Sequence, residues 1–277
     1  MDGTSTFGLG TSPLHAMRLR PSPRPYRLLT WSVVFAAAIL LHALPASATD
    51  EIQVYTSDIN DPGQWSLQLH NNYTVQGHKT PDFPVGFASN QALQGTPELA
   101  YGMTDWWELG AYAPYAYLPD GEYVSGGFKL RALFVAPHAK DREWVYGVNF
   151  EWSNEPSRWA PERYNLEVRP IIGIRKAPFE VIFNPILDFA LSGSDHRGEF
   201  EPALRVAYTL NDLWQVGVEH YSDLGFLDSG YSSSQQAQNT YAVVDYNGPV
   251  SVEFGVGHGW TPGSDETVVK SIVGFAW

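Results

Sequence analysis

The stretch from Gln64 to Val75 reads QWSLQLHNNYTV and decides the fold class. Its odd positions, beginning at Trp65, are mostly apolar, while its even positions, including His70, are polar. A period of two over twelve residues predicts a long strand with one apolar face. Similar alternation recurs along the chain as far as the ending GFAW at 274–277. The chain is therefore predicted to consist of strands joined by turns.

The same pattern predicts twelve strands. In lipid, every backbone polar group must be satisfied within the protein, so strands can cross only as a closed barrel. An even number of strands lets such a barrel close with both ends on one side. The predicted fold class is all-β, a single closed antiparallel transmembrane β-barrel over residues 64–277, with strands at 64–75, 93–103, 106–117, 122–136, 144–152, 162–175, 179–191, 199–208, 213–223, 238–246, 250–260 and 267–277.

The connections between these strands alternate in length, which predicts short periplasmic turns and longer external loops. Short connections lie at 104–105, 137–143, 176–178, 209–212 and 247–249. Longer ones lie at 76–92, 118–121, 153–161, 192–198, 224–237 and 261–266. The Pro, Gly and Ser content of loops 76–92 and 224–237 is typical of mobile external loops. Loop 76–92 could fold inward as a constriction or stand in solvent.

Aromatic residues make up 14% of the chain and cluster near the strand ends. One group lies near the short turns and includes Trp107, Trp144 and Trp214; another lies near the long loops and includes Trp152 and Trp260. Two such belts predict a bilayer-spanning wall. The alternative is a soluble sandwich or jelly roll, whose strands would be shorter and whose outer faces would be polar.

Four prolines count against uninterrupted strands, because proline removes a ladder hydrogen bond. They are Pro114, Pro170, Pro185 and Pro202. Bulges or shifted strand ends are expected at these positions.

Residues 1–48 are predicted to be an N-terminal extension with a signal peptide. A basic region precedes the apolar stretch 28–44, and Ala46-Ser47-Ala48 forms a small-residue cleavage site with cleavage after Ala48. Translation would start at Met17. A membrane-spanning helix over 28–44 is the alternative, at the lower length limit for a span. Residues 49–63 are then expected to be a periplasmic N-terminal segment.

The charge and the cysteine content limit the possible partners. Cleavage would remove four arginines and one acid, leaving 13 basic and 29 acidic residues and a net charge of −16. A chain this acidic is a poor nucleic-acid binder. The absence of cysteine fits export. The expected partners are outer-membrane lipid, the barrel-assembly machinery and a small-molecule solute.

Charged residues collect on the inward parity of the predicted strands. They would line a constriction formed by Glu108, Lys129, Arg131, Glu151, Arg163, Glu167, Arg169, Glu180, Asp188, Glu201, Arg205, Glu219, Glu253 and Lys270. Charges inside a barrel stay ionised only if they are paired or hydrated. The pattern therefore leaves open a water-filled pore or a network of paired charges that fills a narrow interior. Because acids outnumber bases, a pore would favour cations or neutral polar solutes over anions.

The layout of the mature chain resembles the outer-membrane transporter-like barrels linked to the meta-pathway of phenol degradation. The resemblance rests on the signal peptide, the twelve-strand pattern, the inward Glu and Arg residues and the Phe-Ala-Trp ending. It implies uptake of small organic molecules, including aromatic ones. The terminal aromatic residues Phe275 and Trp277 also resemble the signal by which the assembly machinery recognises barrels. The alternative is a closed barrel with a structural or binding role, which meets partners through loops 76–92 and 224–237.

An enzyme is disfavoured, although His220 lies near the external rim with lipid-facing parity and Ser222 shares that parity. No second element of a catalytic site is fixed by spacing. The histidines are scattered without the short spacing of a coordination sphere, so no metal and no cofactor are predicted.

Overall fold

The structure is a computed structural model that describes Met1 and residues 51–277; the predicted signal peptide and its cleavage site lie outside the described residues. Among the residues described, no helix is long and apolar enough to cross a membrane. The strand segments are β1 Trp65–Gln76, β2 Leu93–Gly102, β3 Trp107–Tyr112, β4 Tyr115–Tyr117, β5 Tyr123–Ser125, β6 Phe128–Val135, β7 Trp144–Asn154, β8 Tyr164–Lys176, β9 Phe179–Asn184, β10 Leu187–Ala190, β11 Gly198–Phe200, β12 Ala203–Thr209, β13 Trp214–Asp223, β14 Ala237–Asn247, β15 Ser251–Gly259 and β16 Thr267–Ala276.

Over residues 51–277 these segments form a closed antiparallel barrel of twelve strands, as predicted. Closure is provided by β1, which pairs with β2 on one side and with β16 on the other. Four barrel strands are each built from two segments, namely β3 with β4, β5 with β6, β9 with β10 and β11 with β12. Most segment ends fall within two residues of the predicted strand ends.

The prolines explain three of the four interruptions. Pro114, Pro185 and Pro202 lie in the gaps between paired segments, which confirms the expected irregularities at these positions. Pro170 behaves differently, because β8 runs through it and it pairs with Val148 of β7. The registers of β8 with β9 and with β10 place Pro170 opposite Pro185. The two prolines therefore share one gap in the ladder instead of breaking it twice.

The outer surface of the barrel is apolar. Exposed side chains along it include Leu99, Leu130, Ile172, Val218 and Val256. Inward neighbours of these residues in sequence, such as Glu98 and Lys129, are buried. An apolar exterior around a polar interior is the arrangement of a barrel in lipid, and it excludes the soluble sandwich.

Aromatic rings form a belt at each end of the wall, as predicted. At the short-turn end, Trp65 and Tyr101 have ring centroids 4.6 Å apart, and those of Phe275 and Trp277 are 5.3 Å apart. At the long-loop end, Trp152 stacks on Tyr164 with centroids 5.8 Å apart. Amphipathic rings at both ends match the two interfaces of a bilayer.

Candidate functional site

The barrel lumen contains the N-terminal segment, defined here as residues 51–61. In the described part of the chain this segment joins no strand ladder, and Ile52, Val54, Tyr55, Ser57 and Ile59 are buried. Ile52 packs with Tyr241, Val243 and Val268 of the wall. These residues, which were expected to form a periplasmic segment, are buried against the inner face of the wall. Burial of their apolar side chains against the wall favours the lumen over water.

Wall side chains satisfy the backbone of the N-terminal segment. Asn184 accepts a hydrogen bond from Tyr55 N at 2.7 Å and donates one to Tyr55 O at 3.1 Å. Lys270 Nζ donates to Ile52 O at 3.0 Å, and Asn60 N donates to Glu108 Oε2 at 2.7 Å. Two arginines also donate hydrogen bonds to backbone carbonyl oxygens of the segment. Arg169 donates to Gln53 O at 3.1 Å, and Arg175 donates to Thr56 O at 2.5 Å. The segment is thus held by side chains rather than by a sheet.

A first charge cluster lies where the N-terminal segment faces β2, β3 and β6. Arg131 bonds Glu98 through Nε at 2.9 Å and also through its terminal nitrogen, and it bonds Glu108 at 2.6 Å. All three side chains are buried. The hydroxyls of Tyr55 and Tyr112 lie 2.7 Å apart beside them. Glu108 and Arg131 were both predicted to line the constriction, and the structure brings them together.

A second charge cluster spans β9 and β12 to β16. Arg205 contacts Glu219 at 2.5 Å, Glu180 and Glu253 at 3.4 Å each, and Asp245. Lys270, with no exposed surface, contacts Glu253 at 2.6 Å and also Glu219. Arg175 also bonds Glu180, at 2.6 Å, so three cations face the four carboxylates and the carboxylates remain in excess.

The remaining predicted residues form smaller groups. Lys129 pairs with Glu151 at 3.1 Å, and Arg169 pairs with Glu167 at 2.8 Å. Asp188 lies opposite Glu167 in the β8–β10 ladder, and both Asp188 and Glu201 are partly buried. Arg163 does not line the constriction. It is exposed at the long-loop end, where it donates to Asn154 at 3.1 Å.

Several lumen residues were not predicted from the sequence. Glu98 and Asp245 have inward parity on predicted strands, and that parity could have identified them. Glu51 and Tyr55 precede the barrel, where no periodicity indicates a position. Arg175 lies at the end of β8, where it bonds Glu180 at 2.6 Å.

A cavity of about 870 Å³ occupies the lumen toward the short-turn end. It is lined by the N-terminal segment and by polar wall residues that include Glu108, Arg175, Asp245 and Ser251. This volume is in the range of clefts that hold small molecules. The cavity places both charge clusters in contact with a space that small solutes could enter.

At the opposite end, loop 76–92 folds over the barrel instead of standing free. Its Phe87 packs with Trp159, ring centroids 5.6 Å apart, in a buried apolar cluster with Leu118 and Val124. His78 N donates to Asp265 at 3.1 Å, which ties this loop to loop 261–266. Loop 76–92 is therefore packed against neighbouring parts of the long-loop end.

Two groups in this contact have altered acidities. Burial opposes protonation of His78, but the Pro262 carbonyl at 3.0 Å and the carboxylates of Asp82 and Asp265 outweigh it and raise the pKa of His78 above 6.5. Burial also raises the pKa of the Asp265 carboxyl, against the hydrogen bonds it accepts from Ser89 and His78. Both shifts favour the protonated forms in the packed loop.

The rim histidine forms a polar network on the outer face. His220 lies 2.9 Å from both Thr240 Oγ1 and Gln238 Oε1, and its Nε2 lies 3.2 Å from Ser222 Oγ. Ser222 donates its hydroxyl hydrogen to Gln238 at 2.9 Å. The hydroxyl is therefore engaged by an amide oxygen rather than by the imidazole that would activate it.

Two sets of side chains bring three candidate metal-ligand atoms within 4.8 Å of one another. One set is Glu51, His70 and Glu98, all buried; the other is Glu199, Glu201 and Asp223, all partly exposed. The prediction of no metal site was based on the spacing of histidines along the chain. That spacing does not indicate ligands that are brought together from separate elements.

Comparisons with known proteins agree with the fold. No protein-family model matches the chain, and no curated protein matches it. Among solved structures, the chain is similar to the COG4313 outer membrane channel from Pseudomonas putida F1, with a TM-score of 0.56, 9% identity, and 82% of this chain and 100% of the other covered. It is also similar to the NanC porin, with a TM-score of 0.50, 10% identity, and 75% and 97% covered.

These likenesses show the fold alone. The chain has the architecture of an outer-membrane β-barrel, and the two structures described are a channel and a porin.

Proposed function

We propose that the protein is an outer-membrane channel for small solutes. The observation that carries this proposal is the polar cavity of about 870 Å³ inside a closed barrel whose exterior is apolar. A barrel in lipid with a hydrated, charged lumen provides a path for solutes through an otherwise apolar layer. The path is narrowed by the N-terminal segment and lined by carboxylates in excess of cations, so it favours cations and neutral polar solutes.

The test is single-channel conductance and reversal potential of the purified protein in a planar bilayer under a salt gradient. We expect steady openings with a reversal potential nearer to the equilibrium potential of potassium than to that of chloride. A barrel that passes chloride better than potassium would contradict the proposed ion preference. Heat-modifiable gel migration serves as the folding control.

The finer proposal concerns the solute class. Four buried or half-buried tyrosines, at 55, 112, 221 and 241, lie in the lumen, and the chain resembles barrels linked to phenol degradation. We propose that small aromatic molecules are among the solutes. Liposome uptake of phenol should exceed that of a saturated alcohol of the same size, cyclohexanol, after subtraction of the rates in protein-free liposomes. Equal protein-dependent rates would argue against aromatic selectivity.

The second candidate is a closed barrel that acts through its external loops. It is favoured by the N-terminal segment, whose backbone is bonded to the wall at five or more points. A folded barrel that never opens would support this candidate and direct attention to loops 76–92 and 224–237.

A further inference from the structure

Loop 76–92 contacts two loops that lie on opposite sides of the barrel. Loop 153–161 joins the fifth and sixth of the twelve barrel strands, and loop 261–266 joins the eleventh and twelfth. Six strands separate these two loops in either direction around the barrel, so they face each other across it. A single loop that is bonded to both therefore crosses the long-loop mouth of the lumen.

On the side of loop 153–161 the contact is apolar. Phe87 and Trp159 have ring centroids 5.6 Å apart and share a buried cluster with Ala116 and Val124. Trp159 is 2% exposed. A Cβ atom added at Gly126 would lie 2.8 Å from a ring atom of Trp159, so the indole packs directly against the backbone there. The two rings are thus seated on β4, β5 and their connections.

The ladder shows that this seat is on the lumen face of the wall. Ala116 pairs directly with Val124 and with Gln94. Gln94 pairs with Asn72, which in turn pairs with Lys270. Directly paired residues project from the same face of a sheet, and Lys270 bonds the N-terminal segment inside the lumen. The Phe87 and Trp159 rings therefore pack on the inner side of the barrel and not on the lipid side.

On the side of loop 261–266 the contact is polar. Ser89 donates its hydroxyl hydrogen to the Asp265 carboxylate. His78 N donates to Asp265 Oδ1 at 3.1 Å, and His78 Nε2 lies 3.0 Å from Pro262 O. Hydrogen bonds of this kind can be replaced by bonds to water at little cost. This side of the loop can therefore be released without breaking a strand ladder.

We propose that loop 76–92 is a gate across the external mouth, with the Phe87–Trp159 pair as its apolar barrier. An apolar constriction holds back hydrated ions while it is closed and passes them when the rings separate. This inference rests on the proposed channel function, whose path it would regulate. The gate would set the fraction of time for which the path is open, whereas the N-terminal segment would set the conductance of each opening.

The first experiment compares single-channel records of the full-chain wild type and Phe87→Ala in planar bilayers. The ratio of open to closed time should rise by about tenfold or more, because truncation of a packed phenylalanine removes contacts that hold the closed form. The conductance of each opening should not change. Val85→Ala, in the same loop and 53% exposed, is the matched control and should gate as the wild type does. Heat-modifiable gel migration checks that each variant is folded.

A second measurement does not depend on ion flow. The chain has no native cysteine, and Ala116 is 0% exposed in the cluster that contains both rings. The thiol introduced by Ala116→Cys should react slowly with a bulky, membrane-impermeant maleimide added outside intact bacteria. Adding Phe87→Ala should accelerate this reaction several-fold, whereas adding Val85→Ala should leave it unchanged.

The proposal is overturned if Phe87→Ala changes neither the open-to-closed ratio nor the labelling rate. The two measurements also separate the gate from the channel. Faster labelling in a folded barrel that never conducts supports the loop as the cover of the mouth and counts against the channel. A conducting barrel in which both quantities stay at their wild-type values supports the channel and contradicts the gate.

Discussion

The barrel wall and the N-terminal segment are stabilised in different ways. Each wall strand is bonded to both neighbours by backbone ladders, and β1 closes the circle with β2 and β16. The segment 51–61 has no ladder in the described structure and depends on side chains of the wall, such as Asn184 and Lys270. A ladder in lipid cannot open without exposing backbone groups to hydrocarbon, whereas side-chain hydrogen bonds can exchange with water in a lumen. The wall is therefore held by backbone bonds and the segment by side-chain contacts alone, so we predict that the segment can be displaced more easily than any wall strand.

Removal of the N-terminal segment is expected to have the largest effect on the protein's behaviour. Deletion of residues 51–59 should raise the single-channel conductance several-fold, because it removes the side chains that fill the lumen beside the cavity. The wall should still assemble, as judged by heat-modifiable migration. Asp228→Asn, on an exposed loop, is the control. A conductance equal to that of the wild type would show that the segment does not limit passage.

Removal of a buried cation should destabilise the wall and the segment together. Lys270→Met leaves Glu219 and Glu253 without this partner and frees Ile52 O. Loss of one member of a buried ion pair typically costs about 3–5 kcal/mol in the free energy of unfolding. Lys140→Met removes an exposed pair with Asp61 and should cost at most about 1 kcal/mol. Urea unfolding in detergent or lipid measures both, and equal costs would contradict the role assigned to Lys270.

Ion preference should respond to charge in the lumen and not to charge outside it. Glu108 lines the cavity and contacts both Arg131 and the N-terminal segment. Glu108→Gln should therefore shift the reversal potential toward the equilibrium potential of chloride. Glu266→Gln changes an exposed carboxylate in an external loop and should leave the reversal potential unchanged. Equal shifts in the two variants would place the selectivity outside the lumen.

The smallest effect is expected at the external loop. Because the pKa of His78 is raised above 6.5, its contribution to loop packing is complete below pH 6.5 and is lost as the pH rises through the folded-state value. The raised pKa of Asp265 acts in the same direction. Trypsin cleavage after the exposed Lys79 should therefore accelerate with pH in the wild type relative to His78→Gln. A ratio of the two rates that does not change with pH would contradict this mechanism.

The wall was predictable from the sequence because alternation reports which face of a strand a side chain occupies. That parity placed Glu108, Glu219 and Lys270 inside, and the proline positions indicated where strands break. Parity does not identify partners across several strands. The pairing of Lys129 with Glu151, and that of Arg205 with Glu253 three strands away, were therefore not predicted.

The N-terminal segment could not be predicted in the same way. Its backbone partners are side chains contributed by β3, β8, β9 and β16, and no local pattern in residues 51–61 encodes them. The grouping of Glu51, His70 and Glu98 was hidden for the same reason, since these residues lie on three separate elements.

The most direct test of the displaceable segment is thiol labelling in a chain that has no native cysteine. Ser57 is 1% exposed inside the lumen, so the thiol introduced by Ser57→Cys should react slowly with a bulky, membrane-impermeant maleimide. The same thiol should react faster when Asn184→Ala removes the two hydrogen bonds to Tyr55. A thiol introduced by Ser233→Cys, in an exposed loop, gives the rate for free access. Labelling of Ser57→Cys at that free rate in the wild-type background would show that the segment does not occupy the lumen.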